Sequence, residues 1–144
     1  MPLQIIISEE LVSIENAQKM HNGITAAFLK VHNLSGNEFM TPNAIGEVTL
    51  VPKGLSFSGG GASEIAIVEL KTPSFCFEST EQKELFIDEA TQIVFDNCNG
   101  KLPKSNIWVN LVFAVDGMWG IGGKAYSNDD LGNAINGSHS AAVA

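Results

Sequence analysis

The chain has 144 residues, of which 44% are hydrophobic, so its length suits one domain with a core of its own. Its formal net charge is −8, and its eight basic residues are all lysines, which argues against the arginine-bearing basic surface typical of nucleic-acid binding. The sequence contains no apolar run of about 18 residues and no basic leader, so we expect no membrane segment.

The first half of the chain predicts a strand, a helix and a second strand. The first strand spans Leu3–Ser8, and the helix spans residues 14–32, where apolar residues recur at three- and four-residue spacing. A short strand follows at residues 47–51. The helix stripe expected to face the core consists of Ala17, Met20, Ile24, Ala27, Phe28 and Val31.

The second half predicts the same order of elements. A strand at residues 64–71 precedes a helix over Thr80–Asn97, which Ser79 and Gln82 introduce with a capping-box pattern. A last strand covers residues 107–115. The buried stripe of this helix is expected to consist of Phe86, Ala90, Ile93 and Val94.

The two halves match at an offset of 63 residues. The glycine-rich segment 54–60 corresponds to segment 117–123, and the same shift places Ile24 on Ile87 and Val48 on Leu111. This repeat predicts an α+β fold with two β-α-β units, arranged as a two-layer sandwich of a four-stranded mixed sheet with both helices on one face. The other sheet face is expected to be apolar and bare, which predicts self-association.

The expected domain covers residues 1–132, with repeats at about 2–60 and 63–123. Residues 133–144 are small and polar and are expected to form a flexible tail. Cys76 and Cys98 lack the paired spacing of a metal site, so we expect free thiols in a reducing, cytoplasmic compartment.

Pro2 follows the initiator Met1 and opens the first apolar strand. A small second residue favours removal of Met1, which would leave a free prolyl amine at the edge of the core. Desolvation there would lower the pKa of the amine toward neutrality and would allow it to carry protons. The alternative is that proline is simply tolerated at the first residue of a strand, where no ladder N–H is needed.

Four pieces of the sequence together resemble the tautomerase superfamily, which includes 4-oxalocrotonate tautomerase, macrophage migration inhibitory factor and the 3-chloroacrylic acid dehalogenases. They are Pro2 and the segments 57–65, 107–110 and 119–123. The resemblance implies a homotrimer with a pocket at each subunit boundary. It also implies that Pro2 acts as base and then as acid, without a cofactor or metal.

The resemblance also implies substrate-binding residues. In the inhibitory-factor branch, a Tyr-x-Asn on the last strand reaches the neighbouring subunit's pocket, and the matching residues here are Trp108 and Asn110. Lys71 and Lys53 are candidate single-point anchors for a carboxylate, although a strand-end lysine is often a solvated charge. The apolar walls are assigned to Trp108, Trp119, Phe57 and Ile65. Because the arginine fork of dicarboxylate-binding members is absent, dehalogenation is disfavoured.

These features predict a cofactor-independent isomerase that interconverts the keto and enol forms of a small α-keto acid or aromatic pyruvate. Its partners would be a small-molecule substrate and two further copies of the chain, with no nucleic acid and no membrane. One alternative is a non-catalytic binding or signalling module on the same scaffold. Another is a decarboxylase or hydratase, which would need a carboxylate near Pro2 to activate water.

Overall fold

The computed structural model describes the backbone of residues 1–143 and the side chains of residues 1–137. Four long strands form the main sheet, and four short strands form two hairpins. The elements in chain order are β1 (Leu3–Ser8), α1 (Ile14–Val31), α2 (Met40–Asn43), β2 (Gly46–Val51), β3 (Phe57–Ser58), β4 (Gly61–Ala62), β5 (Ala66–Pro73), α3 (Thr80–Asn97), β6 (Ile107–Ala114), β7 (Trp119–Ile121), β8 (Lys124–Tyr126) and α4 (Asn128–Val143).

The main sheet has the strand order β2-β1-β5-β6. The outer pairs are parallel, and the central pair is antiparallel, with Ile5 opposite Val68. Each parallel pair belongs to one β-α-β unit, so the two units meet at the centre of the sheet. The predicted four-stranded mixed sheet, with two helices packed on one face, is therefore confirmed.

Both long helices begin at a serine cap, which the sequence predicted for α3 alone. The Ser13 hydroxyl accepts a hydrogen bond from the Asn16 N–H at 3.1 Å, and Ser79 forms the predicted capping box with Gln82. The apolar stripes of α1 and α3 pack on the sheet face that carries the alternate residues of β1 and β5. The fully covered centre of this layer contains Leu3, Ile5, Ile7, Met20, Ile24, Phe28, Val68, Leu70, Phe86, Ala90 and Val94.

The 63-residue offset fits the two hairpins but neither the helices nor every strand, because paired residues of β1 and β2 lie 43 positions apart and those of β5 and β6 lie 41 positions apart. The predicted equivalence of Ile24 and Ile87 is wrong, because Ile24 is fully buried whereas 38% of Ile87 is exposed. The two serine caps, Ser13 and Ser79, lie 66 residues apart. Strand β5 is two residues longer than β1 and the connection from β5 to α3 is one residue longer than that from β1 to α1, which shifts the helix phase and places Ala90 in the core instead of Ile87.

The two hairpins are copies of one turn. Gly59 and Gly60 join β3 to β4 with φ of 57° and 82°, and Gly122 and Gly123 join β7 to β8 with φ of 59° and 83°. Two consecutive positive φ values define the two-residue turn that matches strand twist, and glycine adopts them without a steric penalty. The repeated glycines therefore serve hairpin geometry.

The sheet face opposite the helices is less apolar than expected. Its exposed apolar side chains include Ile6, Trp108 and Val112, and each is between 38% and 44% exposed. Polar residues on the same face include Gln4, Glu47, Glu69, Lys71 and Asn110. The expectation of a bare apolar face is thus correct only for part of the sheet.

The segment expected to form a tail is helical as far as Val143. Helix α4 crosses the expected boundary at residue 133, and its residues Leu131 and Ile135 are buried. The Asn37 side chain donates to the Ile135 carbonyl at 3.1 Å, which ties α4 to the loop after α1. Residue 144 lies outside the described residues. Over residues 1–143, no helix has the length and apolar character needed to cross a bilayer.

Candidate functional site

A cavity of about 360 Å³ lies at the start of β1 and contains Pro2. Its walls come from the residues before β2, the end of β5 and the β7–β8 hairpin. Of the predicted site residues, Pro2, Lys71 and Trp119 lie together here. The cavity is lined by Met1, Pro2, Asn43, Ile45, Lys71, Trp119, Gly120, Ile121 and Gly122.

The backbone around Pro2 is fixed by the sheet. The Pro2 carbonyl accepts a hydrogen bond from the Lys71 N–H at 3.0 Å, and the Leu3 N–H donates to the Ile45 carbonyl at 2.8 Å. These bonds attach the start of β1 to β5 on one side and to the segment before β2 on the other. The two bonds hold Pro2 at a defined position on the cavity wall.

Met1 occupies the inner part of the same region. Only 5% of Met1 is exposed, and its amine donates to the Asn43 carbonyl. Burial lowers the pKa of this amine from 8.0 to about 6. The Met1 amine is therefore mostly neutral at pH 7 and above.

Lys71 is the one basic residue that lines the Pro2 cavity, and the lining contains no Asp or Glu. Its ammonium lies 3.3 Å from a Glu69 carboxylate oxygen, with 46% of the lysine side chain exposed. An exposed pair of this kind is weak. A ligand carboxylate can therefore compete with Glu69 for the Lys71 ammonium at little cost.

The other four predicted residues lie in a second cavity of about 380 Å³. This cavity resembles the first, because its turn residues Phe57, Ser58 and Gly59 and its strand residue Trp108 correspond at the 63-residue offset to Gly120, Ile121, Gly122 and Ile45. A single chain therefore does not bring Asn110 to Pro2. The lining of the second cavity is Phe57, Ser58, Gly59, Ile65, Ile67, Trp108 and Asn110.

The cavity also contains residues that the sequence did not predict as part of a site. They are Asn43, Ile45 and the glycines of the β7–β8 hairpin. The repeat contained the signal for Ile45, since it occupies the place of the predicted residue Trp108. The sequence does not predict that the Asn43 backbone carbonyl accepts a hydrogen bond from the terminal amine. A pattern of side chains does not indicate the direction in which a backbone carbonyl points.

Cys76 and Cys98 are free and buried, and burial raises their thiol pKa values to about 12 and about 11. Neither thiol is therefore an activated nucleophile. Among the residues that the structure describes, no three His, Cys, Asp or Glu side chains cluster as a metal site would require.

No family model and no curated protein matches the chain. Several solved structures share its fold at low sequence identity. The fused 4-OT wild-type symmetric trimer is 13% identical with a TM-score of 0.72, and the match covers 92% of this chain and 99% of that chain. Pt0534 inactivated by 2-oxo-3-pentynoate is 15% identical, also with a TM-score of 0.72 and with coverage of 92% and 99%.

A macrophage migration inhibitory factor-like protein from Entamoeba histolytica is 14% identical, with a TM-score of 0.67 and coverage of 87% of this chain and 97% of that chain. These likenesses extend over most of both chains in each pair. The chain has the tautomerase/MIF-like fold, in agreement with the resemblance in its sequence.

Proposed function

We propose that the protein is a cofactor-independent tautomerase that interconverts the keto and enol forms of a small α-keto monocarboxylate or an aromatic pyruvate. The observation that carries the proposal is the position of the chain terminus, where Met1 and Pro2 share a cavity that desolvates an amine. Removal of Met1 would place the secondary amine of Pro2 on this cavity wall. Secondary amines with a pKa near neutrality are efficient proton carriers.

In the proposed reaction, the neutral Pro2 amine removes a proton from the carbon next to the ketone. The electron pair of that C–H bond forms the carbon–carbon double bond, and the carbonyl π electrons move to the oxygen to give an enolate. The protonated Pro2 amine then donates the same proton to the enolate oxygen, which yields the enol and regenerates the neutral amine, so no oxidant or co-reactant is needed. Positioned acid–base catalysis contributes roughly 10²- to 10⁴-fold, which sets the expected scale of the rate gain.

The proposed substrate carries one carboxylate. Lys71 is the one cation in the cavity lining and can hold a carboxylate by a single-point contact. Trp119, Ile45 and Ile121 provide apolar surface for the remainder of a small ligand. Because the chain contains no arginine, a second carboxylate on the substrate would have no guanidinium group to bind it.

Trp108 and Asn110 would contact the substrate only if the protein assembles into a homotrimer. Both line the second cavity, so they would serve Pro2 of another subunit in a homotrimer. In that arrangement, the Asn110 amide would donate to the substrate carbonyl, with Trp108, Phe57 and Ile65 as apolar walls. The fused 4-OT with the same fold is a trimer, which supports this arrangement.

Covalent labelling tests the proposed amine directly. 2-Oxo-3-pentynoate inactivates Pt0534, and its activated alkyne is an acceptor for a neutral amine. We expect one adduct per chain, with the mass located on Pro2 of Met1-free protein. Intact-mass spectrometry must first show that Met1 is removed. If every chain of the native protein retains Met1, the Pro2 mechanism is ruled out.

A non-catalytic binding module remains the second candidate. It is favoured by the burial of Met1, because a chain that keeps this residue keeps the inner cavity filled. The two candidates differ in turnover of phenylenolpyruvate by Met1-free protein: the enzyme ketonises it faster than buffer, whereas the module does not. A hydratase or decarboxylase is less well supported, since the Pro2 cavity lining lacks a carboxylate to activate water.

A further inference from the structure

The buried Asn37 side chain joins two parts of the chain that lie far apart in the sequence. Only 3% of this residue is exposed. Its Oδ1 accepts hydrogen bonds from the backbone N–H groups of Phe39 and Met40, at 3.1 and 2.8 Å, where α2 begins. Its Nδ2 donates to the Ile135 carbonyl in α4 at 3.1 Å. A single side chain therefore holds α4 against the start of α2, and loss of a buried hydrogen bond of this kind is costly.

An aromatic contact joins the same two parts of the chain. The ring centroids of Phe39 and Tyr126 lie 6.4 Å apart. Tyr126 is the last residue of β8, directly before the segment that leads into α4, and it pairs with Trp119 across the β7–β8 hairpin. Together with the Asn37 hydrogen bonds, this contact forms what we call the Asn37 bridge. The bridge connects α2 with both the hairpin and α4.

The two elements that the Asn37 bridge connects are walls of the Pro2 cavity. Asn43 at the end of α2 and Ile45 form one wall, and hairpin residues 119–122 form another. The Asn43 side chain donates to the Phe39 carbonyl at 2.8 Å, which links the first wall to the bridge. In the part of the chain that the structure describes, β7 and β8 pair with each other and with no strand of the main sheet. The hairpin wall is therefore positioned by side-chain contacts such as those of the bridge.

We propose that Asn37 is a positioning residue that sets the separation of these two walls, and through it the size of the substrate that the Pro2 cavity prefers. The size preference rests on the proposed function, whereas the positioning of the hairpin does not. Asn37 lies outside the cavity lining and acts through the walls. Loss of a bridge contact lets the walls separate, and a wider cavity orients a small substrate less well than a large one.

Two variants break the Asn37 bridge at different contacts. Asn37→Asp keeps an oxygen for the N–H groups at the start of α2, but it replaces the donor to Ile135 with a second oxygen. Tyr126→Leu removes the aromatic contact with Phe39 and keeps an apolar side chain. The second variant keeps the proposal testable if Asn37→Asp does not fold.

Each bridge variant has a matched control on α3. The Asn97 side chain donates to the Ile93 carbonyl at 2.8 Å, so Asn97→Asp removes a similar bond. Phe95→Leu matches Tyr126→Leu, because a lysine ammonium lies over each of the two rings, at 5.6 and 4.5 Å from the centroids. Neither control residue lines the Pro2 cavity.

Exchange of C3 protons in D₂O measures the size preference of the Met1-free full chain. We expect the ratio of kcat/KM for pyruvate to kcat/KM for phenylpyruvate to fall about threefold or more in both bridge variants, because misplaced walls orient the smaller molecule poorly. The ratio should be unchanged in both controls. Partial unfolding lowers both rates equally and leaves the ratio unchanged. A wild-type ratio in folded, active bridge variants would overturn the effect on size preference.

Fluorine NMR gives a readout that does not depend on turnover. The chain has two tryptophans, so in a Trp108→Phe background 5-fluorotryptophan labels Trp119 alone and reports on the hairpin wall. We expect its resonance to shift or broaden in the bridge variants and to stay unchanged in the controls. An unchanged resonance in the bridge variants would reject the positioning role of Asn37. A changed resonance in a protein that catalyses no exchange would uphold that role and reject the proposed tautomerase.

Discussion

Pro2 and Ile65 lie 63 residues apart in the sequence, and each lines its own cavity. The repeat thus supplies two related cavities, but it places the start of the chain in only one. Ile65 has no ionisable group. We therefore expect one acid–base site per subunit, and saturation labelling with 2-oxo-3-pentynoate should stop at one equivalent per chain.

Lys71 is predicted to contribute to carboxylate binding and not to proton transfer. Lys71→Ala should raise KM for phenylenolpyruvate about two- to tenfold with kcat nearly unchanged, the scale of a partly exposed ion pair. Lys53→Ala is the matched control, because Lys53 is also near a strand end and pairs with a carboxylate, that of Glu10, at 3.5 Å. An equal effect of both substitutions on KM would reject a specific role for Lys71.

The protein is predicted to prefer a monocarboxylate over a dicarboxylate substrate, because it contains no arginine. kcat/KM should be higher for phenylenolpyruvate than for 2-hydroxymuconate. A dicarboxylate is bound best by two arginine forks, and one lysine cannot replace them. Steady-state kinetics on both enols measure this order. A tenfold preference for the dicarboxylate, equivalent to about 1.4 kcal/mol, would show that lysines replace the fork.

Gly46 is predicted to be required for β2 to approach β1. A Cβ at this position would lie 2.0 Å from the Leu3 carbonyl oxygen and 2.3 Å from His21 Nε2. Gly46→Ala should lower the free energy of unfolding by about 1–3 kcal/mol, as overpacking does. Gly61→Ala is the control, since its Cβ would meet only the Ser58 oxygen at 3.8 Å. Denaturant titration of both variants tests the difference.

His32 is predicted to make the fold less stable in mild acid. It packs between Phe28 and Phe77, at ring distances of 5.0 and 4.6 Å, and burial lowers its pKa below 6.5. The unfolded chain therefore binds a proton at higher pH than the folded chain. Stability is full above about pH 6.5 and falls as the pH drops through the lower folded-state value.

Urea titrations between pH 7.5 and 5.5 measure this effect. The free energy of unfolding of the wild type should fall toward acid more steeply than that of His32→Leu, in which the titrating ring is absent. The Met1 or Pro2 amine contributes equally to both proteins and so cancels in the comparison. Parallel curves for the two proteins would contradict the assignment to His32.

The trimer is predicted to form through the sheet face opposite the helices, which carries both apolar and polar side chains. Sedimentation at micromolar concentration should give about three times the chain mass of 15.3 kDa. Val112→Lys places a charge among the exposed apolar residues of this face and should shift the protein toward monomer, whereas Leu55→Lys, at a 61% exposed site away from the main sheet, should not. A wild-type monomer would contradict the predicted trimer.

The main sheet and its helices were predictable because periodicity and capping are local signals. The bounds of Leu3–Ser8 and Thr80–Asn97 agree with the sequence analysis. Helix α4 was missed because its composition is small and polar, yet Ser127 and Asp130 exchange capping hydrogen bonds at 3.0 and 3.3 Å. That capping pattern, followed by Leu131 and Ile135 at helical spacing, was the available signal.

The candidate site was predictable only in part. Pro2, Lys71 and Trp119 share a cavity, but Asn110 and Trp108 lie in another. The sequence indicates which strand or turn each residue belongs to, but it does not show that the β7–β8 turn of the second repeat lies beside the start of β1 in the first. The core packing of Met1 likewise depends on tertiary contacts that no local pattern reports.

The pH dependence of proton abstraction by Met1-free protein tests whether the Pro2 amine is the catalytic base. NMR in D₂O follows exchange of the C3 protons of phenylpyruvate, and the catalysed rate reports the base itself. We expect kcat/KM for exchange to rise with pH through the pKa of the Pro2 amine, and Pro2→Ala to lower it about 10- to 1000-fold with the fold retained. A flat pH profile with wild-type exchange in Pro2→Ala would contradict the account.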